Sequence, residues 1–203
     1  MKLGFGFSLS DSLIIGSTAI EYYNELLDTQ DYSTGNWIVN NLTKLSDGVG
    51  EAPDSGDTQR WATNPGGYNC WFEQTITGLA GRHIFSWHVR WPDDEPSETY
   101  QFGLHLYDLT DVVDWTAKFS WLKGDVPHAG WGTADAKGRT DEGGGWYRFY
   151  LRQNSDLEGH SLKIAFKPDF YNWRDYSMYA WGVQGEATPD GTVPSAYQPR
   201  GGA

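Results

Sequence analysis

Cysteine is almost missing. Cys70 is the only one in 203 residues, so the chain closes no internal disulfide and builds no cysteine-cluster zinc site. Basic residues are scarce: 15 Lys and Arg stand against 27 Asp and Glu, a net charge of −12. Such a surface repels a phosphate backbone, which argues against a nucleic-acid partner. No apolar run approaches the ~18 residues of a membrane-crossing helix, so no membrane partner is expected. The first residues make a poor signal peptide, because Leu3 to Ser10 is short and glycine-rich and Asp11 interrupts it. No fixed-period repeat is visible. The five histidines form no His-x-His or His-x-x-x-His pair, and there is neither a Gly-x-Ser-x-Gly elbow nor a phosphate loop. A catalytic metal and the common nucleophile frames are therefore not expected.

Aliphatic residues are also in short supply. Hydrophobic content is 38% and mean hydropathy is −0.60. Aromatics compensate at 16%, with 11 Trp and 12 Tyr. Each aromatic buries a large area and carries a polar edge, so a few can fill a sandwich core or line a binding surface. The length suits one large all-β domain with a short arm.

From Asp31 onward, short apolar runs alternate with Gly, Asp, Pro and Asn turns, the pattern of a β-sandwich. Strands are expected near 37–45, 59–63, 69–77, 83–91, 100–107, 112–121, 146–153, 162–166 and 178–186. In 83–91, Phe85, Trp87, Val89 and Trp91 share one face, and the run at Tyr100, Phe102, Leu104 and Leu106 is its candidate partner. His88 and His105 would then meet across adjacent strands. The stretch from Gly124 to Gly145 reads as a large loop with one short strand around Trp131. In 179–186, strict alternation puts Tyr179, Trp181 and Val183 on the core face, with Ala180, Gly182, Gln184 and Glu186 opposite. Residues 1–30 differ: Leu3, Phe5, Phe7 and Leu9 alternate with small residues as an extended anchoring arm would, and Ser17 to Asp28 is a candidate short helix. The expected domains are an arm at 1–30, a sandwich at 31–199 and a tail at 200–203.

Trp181-Gly182-Val183-Gln184-Gly185-Glu186, followed by Ser195-Ala196-Tyr197-Gln198-Pro199, resembles the closing strand of a β-sandwich domain common in tailed-bacteriophage virion proteins. That domain is a jelly-roll similar to carbohydrate-binding modules. The resemblance extends in order through Trp37, Glu51–Gly56, Phe72-Glu73-Gln74, His83–Ser86 and Gly145–Arg148. The Pro92–Pro96 loop and the Trp-rich 115–131 region depart from it, which bears on the ligand and not on the fold. The resemblance implies an all-β antiparallel jelly-roll and a non-enzymatic structural protein located in a virion. It would decorate a capsid as a cement or head-fibre protein, or serve a tail as an adhesin. Other virion proteins are its implied partners, through the arm. A homo-oligomer is the norm for such assemblies, and a trimer suits an appendage.

Host-surface glycan is the expected small partner. Sugar rings stack on exposed aromatics while neighbouring polar groups bond the hydroxyls. Trp131, set between Gly130 and Gly132, and the run Tyr171-Asn172-Trp173-Arg174-Asp175-Tyr176 offer that mixture. Trp131, Tyr171, Trp173, Arg174 and Tyr176 are the candidate ligand residues, and Trp115 and Trp121 are further exposed-ring candidates. Core or subunit packing is the plainer reading of any one ring. No cofactor is required. A structural Ca²⁺ is a candidate in the acidic loop carrying Asp47, Glu51, Asp54 and Asp57, since calcium takes several carboxylate oxygens. Its plainer reading is a solvated loop. Paired carboxylates for glycoside hydrolysis would come from Asp93-Asp94-Glu95 or Asp141-Glu142, both in polar stretches. A small jelly-roll glycosidase or lyase and a free carbohydrate-binding module are therefore the alternatives.

Overall fold

The computed structural model describes residues 26, 30–33, 35–48, 51–54, 56–64, 70–94, 99–122, 127–129, 132–168, 177–188 and 193–197. Among them there is no helix. Twelve strands form two antiparallel sheets: β1 (Ile38–Asn40), β2 (Leu42–Gly48), β3 (Thr58–Thr63), β4 (Trp71–Thr77), β5 (Arg82–Arg90), β6 (Thr99–Asp108), β7 (Val113–Leu122), β8 (His128–Ala129), β9 (Ala136–Gly143), β10 (Trp146–Gln153), β11 (Ser161–Pro168) and β12 (Ser177–Thr188). The first sheet runs β1-β4-β11-β6-β7-β8 and the second β2-β3-β12-β5-β10-β9. The architecture is the expected all-β sandwich.

Aromatic side chains from both sheets interleave to make one core. Trp87 of β5 sits at its centre, with ring centroids 5.3 Å from Trp37, 5.8 Å from Tyr32 and 5.4 Å from Phe166. Phe102 of β6 meets Phe149 of β10 edge to face at 4.6 Å, which ties the sheets together. Trp121 is buried and Trp115 packs partly buried against the same cluster, so both rings serve the core. Leu26 is fully buried in that core as well, so at least this residue of the 1–30 segment belongs with the sandwich.

Several expectations change. The strand expected at 37–45 is two strands, β1 and β2, in different sheets; Asn41 between them has φ 52°, a left-handed kink that a short polar side chain tolerates. β5 and β6 do not pair. They lie in opposite sheets and face each other through the core, so His88 and His105 point away on opposite outer surfaces. The stretch expected as a loop at 124–145 contains β9, a polar edge strand paired along β10.

β12 departs from strict alternation. Trp181 pairs with His88 and Gln184 with Ser86, so Gly182 and Val183 together oppose Trp87 in a β-bulge. Gly182 has φ 58°. The extra residue shifts the pattern: Ala180 and Val183 face the main core, whereas Tyr179 and Trp181 face outward. The arm residues Leu3, Phe5, Phe7 and Leu9, the remainder of the candidate helix, Trp131, Tyr171, Trp173, Arg174, Tyr176 and the 200–203 tail lie outside the described residues.

Candidate functional site

The outward row created by the bulge carries the site. Trp181 on β12, His88 on β5 and Arg148 on β10 sit in register across three strands. The segment 193–197 returns over this row. Ser195 fastens it: its N–H and Oγ–H donate to the Glu186 carboxylate, and its Oγ accepts from Gln184 Nε2 at 2.9 Å. Its carbonyl accepts from Arg148 Nη1. Tyr197 then rests on Trp181, with centroids 4.5 Å apart, and meets His88 edge-on at 5.5 Å. Trp146 and Ala52 complete this second, smaller apolar cluster, and Trp146 Nε1 donates to the Glu51 carbonyl at 2.8 Å.

A cleft of about 270 Å³ opens here. Trp181, Tyr197, Ala196 and Pro53 supply apolar wall, while His88, Arg148, Asp54 and Glu142 supply polar groups. Arg148 is 5% exposed and His88 2%. Arg148 Nε donates to Ser86 Oγ at 3.0 Å, and its Nη2 has no hydrogen-bond partner. Burial pulls the guanidinium below the ordinary arginine value, and the carboxylates of Glu186 and Glu142 oppose that shift. His88 is pushed down to about 3, mainly by burial and then by the neighbouring Arg148. It is therefore neutral at ordinary pH. Its Nδ1 lies 2.8 Å from the Gly182 carbonyl. A carbonyl only accepts, so Nδ1 carries the proton and Nε2 keeps a lone pair. The half-buried Tyr197 ring, a cation, a neutral acceptor and two rim carboxylates thus line one small volume.

Beside the cleft, the ring of Tyr179 lies between two guanidiniums, Arg60 at 5.8 Å and Arg90 at 5.2 Å. Arg60 is held by Asp94 in a two-pronged pair at 2.8 and 3.0 Å, so this member of the Asp93-Asp94-Glu95 group is engaged in an ion pair. Glu142, from the other carboxylate group, reaches the cleft wall with Asp54.

The four candidate calcium residues disperse. Asp47 pairs with Lys44 at 2.6 Å, Glu51 lies 3.8 Å from Arg90, and Asp54 accepts from the Gly56 N–H at 2.8 Å. Asp57 is exposed. No three of their oxygens come within 4.8 Å of one another; among the described residues that spacing is met by Asp108, Asp111 and His160. There, Asp108 already accepts from Thr110 N–H, from Asp111 N–H and, at 2.8 Å, from the His160 ring. The Asp108 carboxylate is thus already engaged by protein donors.

Trp131, Tyr171, Trp173, Arg174 and Tyr176 lie outside the described residues, Trp115 and Trp121 serve the core, and the cleft is a site that the sequence reading did not name. Its signal was present: the Ser195 and Tyr197 positions follow β12 closely, and a glycine flanked by Trp181 and Val183 is a bulge signature. No family model matches the chain, and no curated protein matches it. Solved structures do overlay. The CBM22-1–GH10 modules of Clostridium thermocellum endo-1,4-β-D-xylanase 10B, complexed with xylohexaose, overlay with a TM-score of 0.52 at 11% identity, over 83% of this chain and 29% of that one. An arabinose-bound α-L-arabinofuranosidase, MgGH51, overlays at 0.50 with 12% identity, over 81% of this chain and 26% of that one. The enzymatically active domain of tailspike protein 4 from bacteriophage CBA120 overlays at 0.46 with 11% identity, over 80% of this chain and 21% of that one, too loosely to bear on function. The chain thus spans under a third of the length of each of these three. The first two likenesses support one conclusion: the chain is an antiparallel β-sandwich of an architecture found in those enzymes' chains.

Proposed function

We propose that the chain is a non-catalytic carbohydrate-binding sandwich of a phage particle. The observation that carries the binding half is the cleft, where the half-buried Tyr197 ring, backed by the buried Trp181, adjoins Arg148, His88, Asp54 and Glu142 around one 270 Å³ volume. Aromatic wall plus a few convergent polar groups is what a sugar ring needs, because its C–H faces stack while its hydroxyls both donate and accept. The xylohexaose complex among the structural likenesses agrees with that ligand class by fold analogy only. Replacing Tyr197 with Ala removes the half-buried ring over Trp181. Binding of neutral oligosaccharides on a glycan array, followed by calorimetry, is expected to weaken about tenfold or more, given roughly 0.5–1.5 kcal/mol for a ring contact plus the apolar area lost. Unchanged affinity in a folded Tyr197→Ala protein rejects the cleft as the sugar platform.

The virion half rests on the ordered motif resemblance and on the alternating arm. In this reading residues 3–9 dock on other virion proteins, the sandwich projects as a capsid decoration, head fibre or tail adhesin, and several copies, as in a trimer, turn weak sugar contacts into avidity. Deleting residues 2–16 is expected to abolish incorporation into particles while leaving the sandwich folded by circular dichroism. Normal incorporation of the truncated chain rejects the anchor.

A further inference from the structure

We infer that the outer face of the first sheet holds a second site, where Lys163, Lys167 and Lys118 around Tyr107 take the carboxylate or sulfate of an acidic sugar. The site lies on the sheet opposite the cleft. It shares the carbohydrate reading as to ligand class and does not rest on the cleft.

Strand alternation assembles it. Ile164 and Phe166 of β11 enter the core, as do Leu104 and Leu106 of β6. Lys163, Ala165 and Lys167 therefore point outward beside Gly103, His105 and Tyr107. Lys163 is paired with Tyr107, Lys167 with Gly103, and Gly103 in turn with Lys118 of β7. Gly103 and Ala165 put no bulk between the long side chains. Two ammoniums gather at one phenol: Lys163 Nζ lies 4.8 Å from the Tyr107 ring centre and Lys167 Nζ 5.1 Å. Lys167 also donates to Tyr107 Oη at 2.6 Å, and that Oη lies 3.0 Å from His105 Nδ1, which holds the phenol in place. Tyr107 and the three lysines are half-buried, so they meet solvent without being fully hydrated.

The charges around them leave room for an anion. Glu73 lies 3.4 Å from Lys163, and Asp114 lies 3.7 Å from His105. Three lysines outnumber these two carboxylates, on a chain whose net charge is −12. Lys167 forms no ion pair among the described residues, and burial pulls its pKa below the ordinary lysine value. An ammonium short of solvent gains most from an oxyanion, which accepts two or more charge-assisted hydrogen bonds at once. Distant acids on the chain repel a long polyanion, but beyond about 10 Å salt screens them from a single contact pair. One acidic group on a small sugar therefore fits better than an acidic polymer.

The test is a two-dimensional NMR titration of the isotope-labelled full chain with methyl β-D-glucuronide, methyl β-D-glucoside and sodium sulfate. The glucuronide is expected to shift the amides of Gly103, Tyr107 and Ala165 saturably and to bind at least about fivefold more tightly than the glucoside. Sulfate acting at the same amides shows that the oxyanion suffices; sulfate without effect shows that the sugar is needed as well. Lys167→Met keeps the stem and removes the charge, and it is expected to weaken the glucuronide about threefold to tenfold. Lys137→Met, on β9 of the other sheet, is expected to change nothing. Glucoside binding as tightly as glucuronide, or unchanged affinity in a folded Lys167→Met protein, overturns the site. Shifts confined to His88, Arg148 and Tyr197 overturn it too, and leave the cleft reading standing.

Discussion

The histidines His83, His88 and His160 sit in contrasting environments. His83 is fully buried, accepts the Leu79 N–H on Nε2 at 3.2 Å, and is pushed down to about 4 by burial. His88 is pushed down to about 3. An unfolded chain protonates both near pH 6.5, while the native state resists, so the unfolded state binds more protons in between. Their neutral forms therefore leave full stability above about pH 7, and stability falls as pH drops through 6.5 toward 4. The slope is about 1.4 kcal/mol per pH unit for each such histidine. Urea titrations at pH 7.5 and 5.0 are expected to show this loss, and His83→Gln is expected to flatten it. A wild-type stability that does not change between those pH values rejects the assignment. His160 goes the other way: its bond to Asp108 raises its pKa, so its small, solvent-screened contribution fades as pH rises through that pKa.

At the scale of elements, β12 decides how the outer surface is used. A strand with unbroken alternation would drive Trp181 into the main core or leave it bare. The bulge at Gly182 instead turns Trp181 outward and lets Val183 stay in, and segment 193–197 then covers the exposed ring. Only glycine suits that bulge. At φ 58° an L side chain is strained, and an added Cβ would sit 2.9 Å from His88 Nδ1 and 3.2 Å from Tyr197 Cζ. Gly182→Ala is expected to cost about 1–3 kcal/mol and to unseat Tyr197. Denaturant midpoints and Trp fluorescence measure the two effects, and a midpoint equal to wild type refutes the close approach. Edge strand β9 shows the opposite case: polar and glycine-containing, it carries no apolar alternation and is held by its ladder to β10.

Across the whole molecule, one aromatic core joins the two sheets, and Trp87 of the second sheet packs on Phe166 of the first. Sheets that share a core lose their contacts together. Trp87→Ala is expected to destabilise by about 3–5 kcal/mol and to keep a single unfolding transition by fluorescence and circular dichroism. Two separated transitions would mean that the sheets are independent units. Among the described residues the buried carboxylates are Asp108 and Glu186, and both are hydrogen-bonded. The charge acts at the surface and in the cleft rim.

The sequence by itself determined the class of fold and most of its strands. Alternation of Phe85, Trp87 and Val89, or of Tyr147, Phe149 and Leu151, is a local property, and each pattern became a strand with that face inward. The partner of each strand was not local. β5 and β6 are neighbours in sequence, yet they belong to opposite sheets, because the same alternating pattern serves for pairing within a sheet and for facing across one. The cleft was the least legible part. Asp54, His88, Glu142, Arg148, Trp181 and Tyr197 come from separate stretches of chain, and one bulge decides that Trp181 joins them. A one-residue insertion in a strand reverses every side chain beyond it, and only the tertiary pairing of β12 against β5 shows where that reversal falls.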